Sequence, residues 1–314
     1  LSYYMNNDLK LSIIIVSYNT KNFLKDCLES IFQKIKKTSF EVLVVDNGSV
    51  DKSEEMVEKE FPLVRVIKNK ENVGFAKANN QGIKEAKGEY IFLLNPDTLI
   101  LDDNINELID FFDSQKEIGI IGPKVLNADY SFQRQCKRGW PTFWNSFCYV
   151  SGLWKILNKT PWQKRVFGGY FLLDKNENEI SEVQQISGSA MIVRKKVFEQ
   201  VGLLDENYFL YWEDSDFCFR VQEKNWKIYY YPFFRVLHYG GKGGTQRQPL
   251  KNLWYFHRGL FIFYRRYLAP NSFFLINIFY YLLIGFMFLF KLFINLFRKE
   301  KIIGSVKPKV EINS

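Results

Sequence analysis

The first third of the chain alternates between two apolar spacings. Short β-branched runs, Leu11 to Ser17, Phe40 to Asp46, Leu63 to Lys68 and Tyr90 to Leu94, are apolar at most positions. That pattern predicts strands buried on both faces of a sheet. Between the first two runs, Phe23, Leu24, Cys27, Leu28, Ile31, Phe32 and Ile35 recur at helical spacing behind Asn19 and Thr20, which can cap a helix. Further helices are expected near 51–60, 75–86 and 102–114. Strands and helices alternating with short links imply right-handed crossovers and an α/β fold: an open, mostly parallel sheet with helices on both faces. Such sheets bind ligands at the carboxyl ends of their strands. Those ends carry Ser17-Tyr18-Asn19, Asp46-Asn47-Gly48-Ser49, Lys68 to Asn72 and Asn95-Pro96-Asp97.

After about Gly119 the alternation stops. The stretch from Arg134 to Trp162 is aromatic and basic without a clear period, and is read as an acceptor-side segment. A strand is expected over 183–194, a helix near 195–201 and a strand over 227–232. The glycine-rich segment 238–248 then closes the soluble part.

Composition narrows the class. The chain has 314 residues, 47% of them hydrophobic, enough for a large buried core. Its formal charge of +9 suits an anionic partner, whether nucleic acid, lipid headgroup or nucleotide. The four cysteines form no CxxC or Cys/His cluster, so buried reduced thiols and a reducing cytoplasm are expected. The first ten residues lack the charged start, apolar middle and small-residue cleavage site of a signal peptide.

Neither GxGxxG after the first strand nor GxxxxGK[ST] occurs, so phosphate must be held some other way. Asp97, delivered at a strand end, can hold Mg²⁺ or Mn²⁺, hard ions that bridge to a diphosphate. The competing role for Asp97 is a turn or the cap of the helix near 102. Glu213, Asp214 and Asp216 crowd a helix start, where acidic residues complement the macrodipole. Yet three carboxylates in four residues repel one another, and Phe209 to Trp212 place them beside an apolar wall. A carboxylate so placed is suited to accept a proton from a substrate hydroxyl. His238 follows a strand and precedes a glycine-rich loop, so a metal ligand at a lid hinge competes with a purely structural role.

Taken in order, "LSIIIVSYNT", "EVLVVDNGSVDKS", "NKENVGFAKANNQGIKEAKGEYIFLLNPDT", "SGSAMIVRKKVFEQVGLLDENYFLYWEDSDFCFRV" and "VLHYGG" resemble glycosyltransferase family 2, within it the bacterial rhamnosyltransferase-type members, over roughly residues 9 to 245. The resemblance implies a GT-A fold and inverting, divalent-metal-dependent transfer from a nucleotide sugar. Asp46 matches the carboxylate that reads the nucleotide base, Asp97 the second acid of the DxD element, His238 a further metal ligand, and Asp214 the catalytic base. Asn95 stands where many members have the first acid, so coordination rests on fewer carboxylates. Asn72, Lys77 and Asn79 fall in the block that lines the donor side, which Ser17, Tyr18, Asn19 and Asn95 extend. Trp212, Glu213 and Asp216 are assigned to the acceptor side. Lys242 and Arg247 are candidates to close over the departing diphosphate.

Phe273 to Phe290 is 18 residues without a charge, at the lower limit of about 17 to 25 for a spanning helix. Arg265 and Arg266 before it, and Arg298, Lys299, Lys301, Lys307 and Lys309 after it, put both flanks on the cytoplasmic side. Asn277, Lys291 and Asn295 share a helical face, which favours a helix lying in the interface over a single span. The expected organisation is a catalytic domain over 1–268, with a nucleotide-sugar half (9–115) and an acceptor half (116–250), followed by a membrane-associated helix and basic tail (269–314). The expected partners are a dTDP- or UDP-sugar, a lipid-linked or glycan acceptor and the cytoplasmic membrane surface of a bacterium, not nucleic acid. An inactive transferase-like scaffold and a UDP-hexose-using transferase stay open as alternatives.

Overall fold

The computed structural model describes residues 9–240 and 249–297. Lys242, Arg247 and the basic tail lie outside these residues. The first half follows the predicted alternation: β1 (Leu11–Ser17), α1 (Lys21–Lys34), β2 (Phe40–Asp46), α2 (Ser53–Glu60), β3 (Arg65–Lys68), α3 (Phe75–Glu85) and β4 (Tyr90–Leu94). Every residue of β1 is buried because β1 has neighbours on both edges, parallel to β2 on one side and to β4 on the other. β3 lies outside β2, so the chain reverses its direction across the sheet between β3 and β4. Right-handed crossovers then put α1 and α2 together on one face and α3 on the other. α1 packs on α2, and α3 packs on β1 and β2.

One cap differs from expectation. Thr20 spends its hydroxyl on Ser17 Oγ at 2.8 Å, and the first amide of α1, on Lys21, donates instead to Asp51 Oδ2 at 2.8 Å. The loop after β2 therefore closes the helix that follows β1, tying two strand ends together.

The second half contains β5 (Thr98–Ile100), α4 (Ile105–Ser114), β6 (Ile118–Leu126), β7 (Lys137–Arg138), three short helices α5 (Phe143–Ser151), α6 (Leu153–Ile156) and α7 (Pro161–Phe167), then β8 (Ser181–Glu182) and β9 (Gln185–Ile186). It continues with β10 (Ala190–Arg194), α8 (Lys195–Val201), α9 (Glu213–Glu223), β11 (Lys227–His238), α10 (Pro249–Phe263) and α11 (Phe274–Phe297). β10 enters the sheet antiparallel between β4 and β6, β11 runs parallel to β6, and β5 pairs antiparallel with β11. The sheet is mixed but mostly parallel, with the order β3-β2-β1-β4-β10-β6-β11-β5. Gly119, Gly122 and Pro123 conceal β6 in the sequence, since each is disfavoured in a strand. β11 runs past the expected stop at Pro232, because a register shift between Tyr231 and Arg235 spares that proline a ladder bond. The expected strand over 183–194 is split at 187–189, which matters for the active site.

α10 and α11 form a helical hairpin, so the expected boundary at 268 falls in its turn. The polar stripe of α11 faces inward: Asn277 bonds Tyr264 and the Ala269 carbonyl, Tyr280 bonds Pro141 and Ser146, and Lys291 lies over the Phe256 ring. Its outward face, from Phe274 through Phe279, Leu282, Phe286 and Leu289 to Phe293, is apolar and exposed. Among the described residues, α11 is the one helix long and apolar enough to cross a membrane.

Candidate active site

Strand register brings the predicted residues to one edge. Ser17 pairs with Asp46, Leu94 pairs with Ala190, and His238 pairs with Thr98. The residues just past these positions, Asn95, Asp97 and Gly188, therefore share the carboxyl edge of the sheet. This edge lies where strand order switches between β1 and β4, the place at which such sheets bind ligands.

Asp46 is 2% exposed; Oδ2 accepts the Ser49 amide at 2.9 Å and Oδ1 has no protein partner. An unpaired buried acceptor costs about 1–3 kcal/mol, so its retention at a strand end points to a ligand donor. The surrounding loops are fixed by their own bonds. Asn19, at φ 56°, receives the Val50 amide on Oδ1 at 2.8 Å. Asn72 Oδ1 receives Asn47 Nδ2 at 2.9 Å and the Gly74 amide at 3.0 Å, so Asn72 shapes this loop with its own acceptor. Gly74 adopts φ 94°, and a Cβ there would lie 2.9 Å from the Phe209 ring. Together with Phe75 N–H donating to the Phe209 carbonyl at 2.7 Å, this locks the donor side to the segment leading into α9. Lys77 is exposed and Tyr18 half-buried, whereas Ser17 is fully buried on Thr20 and Asn79, buried, bonds back to the Phe75 carbonyl at 2.9 Å. Ser17 and Asn79 thus correct the donor-binding expectation: their bonds hold the scaffold. The polar pair in α3 has a packing cause, since Asn80 bonds Leu204 in both directions.

At the end of β4, Asp97 is no helix cap, because α4 starts only at Ile105. Its Oδ1 lies 3.2 Å from His238 Nε2. His238 Nδ1 is 2.9 Å from Gln133 Oε1, an acceptor, so Nδ1 carries a ring proton and Nε2 is the nitrogen that faces Asp97. Asn95 Nδ2 is 3.4 Å from the same nitrogen, and Asn95 Oδ1 is buried without a partner. Among the described residues no three His, Cys, Asp or Glu side chains gather as a metal set. A carboxylate, an imidazole nitrogen and an orphan amide oxygen nevertheless form a donor set that fits Mn²⁺ or Mg²⁺.

The acid cluster divides into three roles. Asp214 Oδ2 accepts Arg138 Nη2 at 2.8 Å and the Gly188 amide at 3.1 Å; Oδ1 accepts the Ser215 amide at 2.7 Å. Ser215 donates its only hydroxyl hydrogen to Gln185 Oε1 at 2.6 Å, so Oδ1 keeps one open lone pair. Glu213 is buried, Oε2 has no partner, and burial, then the Asp214 charge, push its pKa up. Asp216 is fully buried and saturated by Arg220 at 2.8 Å, Arg266 at 3.0 Å and Tyr267 at 2.7 Å. This corrects the acceptor-side assignment of Asp216: it clamps α9 to the helix following α10. Trp212 is also buried, at φ 74°, beneath α10.

Gln133, Arg138 and Gly188 were not predicted. Gly188 occupies the break between β9 and β10 that lets the sheet edge meet Asp214. Arg138 sits in the aperiodic basic segment, where spacing carries no signal. All four cysteines are free and buried, as expected.

A model of the family described as "Glycosyl transferase family 2" matches residues 12–202. The chain is 27% identical, over 81% of its length and 83% of the relative's, to the N-acetylglucosaminyl-diphospho-decaprenol L-rhamnosyltransferase of Mycobacterium tuberculosis. It is 29% identical to the low-salt glycan biosynthesis hexosyltransferase Agl10 of Haloferax volcanii, over 69% of this chain and 63% of that one. Two solved structures share the fold at a TM-score of 0.55. They are GalNAc-T7 with UDP, GalNAc and Mn²⁺ (20% identity, 75% of this chain, 44% of that one) and the mannosyltransferase PcManGT of Pyrobaculum calidifontis with GDP-Man and Mn²⁺ (15% identity, 82% and 65%).

Proposed function

The chain belongs to glycosyltransferase family 2, and from that premise we propose that it transfers L-rhamnose from dTDP-rhamnose, with inversion, to a polyprenyl-diphosphate-linked sugar on the cytoplasmic face of a bacterial membrane. The observation that carries the donor half is Asp46, whose buried, unpartnered oxygen is suited to accept the N3–H of thymine or uracil. The acceptor and the sugar follow the mycobacterial relative.

Asp214, oriented by Arg138, Gly188 and Ser215, takes the proton of the acceptor hydroxyl on Oδ1. The oxygen so activated attacks the anomeric carbon from the face opposite the diphosphate; one bond forms as the sugar–diphosphate bond breaks, and the configuration inverts. Asn95, Asp97 and His238 would hold a divalent cation, which supplies neutralisation of the departing negative charge. Glu213, neutral through its raised pKa, spares Asp214 a second adjacent charge.

The outward apolar face of α11 supports membrane attachment. Its inner face is covered by α10, which carries Lys251 and Arg258, so the pair is read as lying in the interface with α11 toward the lipid. The face is reversed from that of a simple amphipathic helix: the polar stripe binds protein, not water.

Calorimetric titration with dTDP-rhamnose, UDP-glucose, UDP-galactose and UDP-GlcNAc, each with Mn²⁺, Mg²⁺ and chelator, tests the reading. Tight, metal-dependent binding of dTDP-rhamnose is expected, weakened at least tenfold by Asp46→Asn. Selective binding of a UDP-hexose would replace the sugar assignment, and no binding of any donor would overturn the donor site.

A further inference from the structure

An apolar pocket lies between the start of α9 and the hairpin, lined among others by Tyr149, Val150, Trp212, Leu260, Tyr280 and Ile284. Tyr149 and Val150 at its rim are exposed, and its lining residues Leu283 and Met287 are next in sequence to the exposed Leu282 and Phe286 of α11. Inside, Trp212 is 5% exposed and its Nε1 has no protein partner. Trp212 and Tyr211 hold consecutive left-handed backbone conformations, at φ 74° and 67°, a costly arrangement for bulky side chains. Gly259 leaves room for the ring: a Cβ there would lie 2.6 Å from Trp212 Cδ1. The wall is otherwise satisfied, with Tyr280 donating to the Pro141 carbonyl at 2.9 Å beside Ser146.

The polar end of the pocket leads to the catalytic carboxylate. Tyr170, another lining residue, lies beside Arg138, and Arg138 pairs with Asp214. Arg138 Nε is buried without a partner. An occupant with an apolar chain at Trp212 and an anionic head at Arg138 would present its next group to Asp214. We propose that this pocket binds the phosphate-proximal isoprenyl units of the acceptor lipid, which rests on the lipid-linked acceptor reading above and adds the place where that lipid sits. A bilayer acyl chain matches the apolar wall, but nothing in it uses the route to Arg138.

The test uses the full chain in non-ionic detergent and a photoreactive diazirine analogue of farnesyl phosphate. Saturable labelling of Trp212, Leu260 or Tyr280 is expected, displaced by farnesyl phosphate at least tenfold better than by farnesol. Val150→Trp, at the exposed rim, should lower that labelling at least tenfold; an unchanged urea unfolding midpoint serves as the fold control. Arg138→Met should abolish the preference for the phosphate-bearing chain. Unsaturable labelling confined to Phe279, Phe286 and Phe290, or equal displacement by farnesol, would overturn the proposal in favour of bilayer contact. Because the probe needs neither donor nor transfer, its failure is separable from failure of the transferase reading.

Discussion

At the ends of β2 and β4, Asp46 Oδ1 and Asn95 Oδ1 are buried with no protein donor. At the start of α9, both oxygens of Asp214 and of Asp216 are held by protein donors. The contrast separates two kinds of site. An orphan acceptor is tolerated where a ligand completes it, since otherwise its desolvation stands uncompensated. A carboxylate held on both oxygens keeps its position whether or not substrate is present, as preorganised catalysis requires. In the proposed reading, Asp46 and Asn95 at the donor corner keep acceptors open for a ligand, whereas Asp214 and Asp216 at the acceptor corner are held in place before one arrives.

The largest expected effect breaks the acceptor corner alone. Asp214→Asn keeps shape and most bonds but cannot take the proton, so the transfer rate should fall about 1,000-fold, within the usual range for a general base. The nucleotide dissociation constant, read by calorimetry, should stay within about twofold. A variant that kept most of its rate would remove the base assignment; one that lost donor affinity equally would erase the contrast between the corners.

A smaller effect is expected at the donor corner from a residue that touches no substrate. Gln133 accepts from His238 Nδ1 and so fixes which ring nitrogen faces Asp97. Gln133→Leu should raise the Mn²⁺ dissociation constant about 10- to 100-fold, the usual cost of losing such a partner. Electron paramagnetic resonance reads the metal, and the ¹⁵N shifts of His238 read the tautomer without any metal. Unchanged shifts would show that Gln133 does not set the ring.

These residues also mark where the sequence was readable. β1, β2 and β4 occur at the predicted residues because continuous β-branched runs have one stable use, burial on both faces of a parallel sheet. Asp46, Asn95 and Asp97 were singled out because strand ends are special positions in such a sheet. β6 was missed because glycines and a proline disfavoured in strands are tolerated there by its neighbours. Gln133 and Arg138 act through partners 105 and 76 positions away, and no local spacing encodes such pairings. The same holds for Asp216, whose acidity suggested substrate contact until Arg266 and Tyr267, in another helical segment, accounted for it. On α11 the polar stripe was legible, but its direction was not, because only the packed hairpin shows that α10 covers it.

The smallest effect tests whether the acceptor corner holds one charge or two. Burial, then the neighbouring Asp214, raise the Glu213 pKa in the folded chain, while in the unfolded chain it titrates as an ordinary glutamate. Between those two values the folded state binds one more proton, so folding stability falls with rising pH. The stabilising difference is complete below the ordinary glutamate pKa and is lost as pH rises through the raised one. Glu213→Gln cannot titrate, so relative to the parent it should gain stability as pH increases across that window. The expected gain is about 1 kcal/mol from pH 5 to pH 7, below the limit of about 1.4 kcal/mol per unit for a single proton. Urea unfolding midpoints of both proteins at pH 5, 6 and 7 give the difference directly. Parallel curves would mean that Glu213 is already ionised in the fold, that two adjacent carboxylates share the Arg138 charge, and that Asp214 is not the sole anion set in place before the substrate arrives.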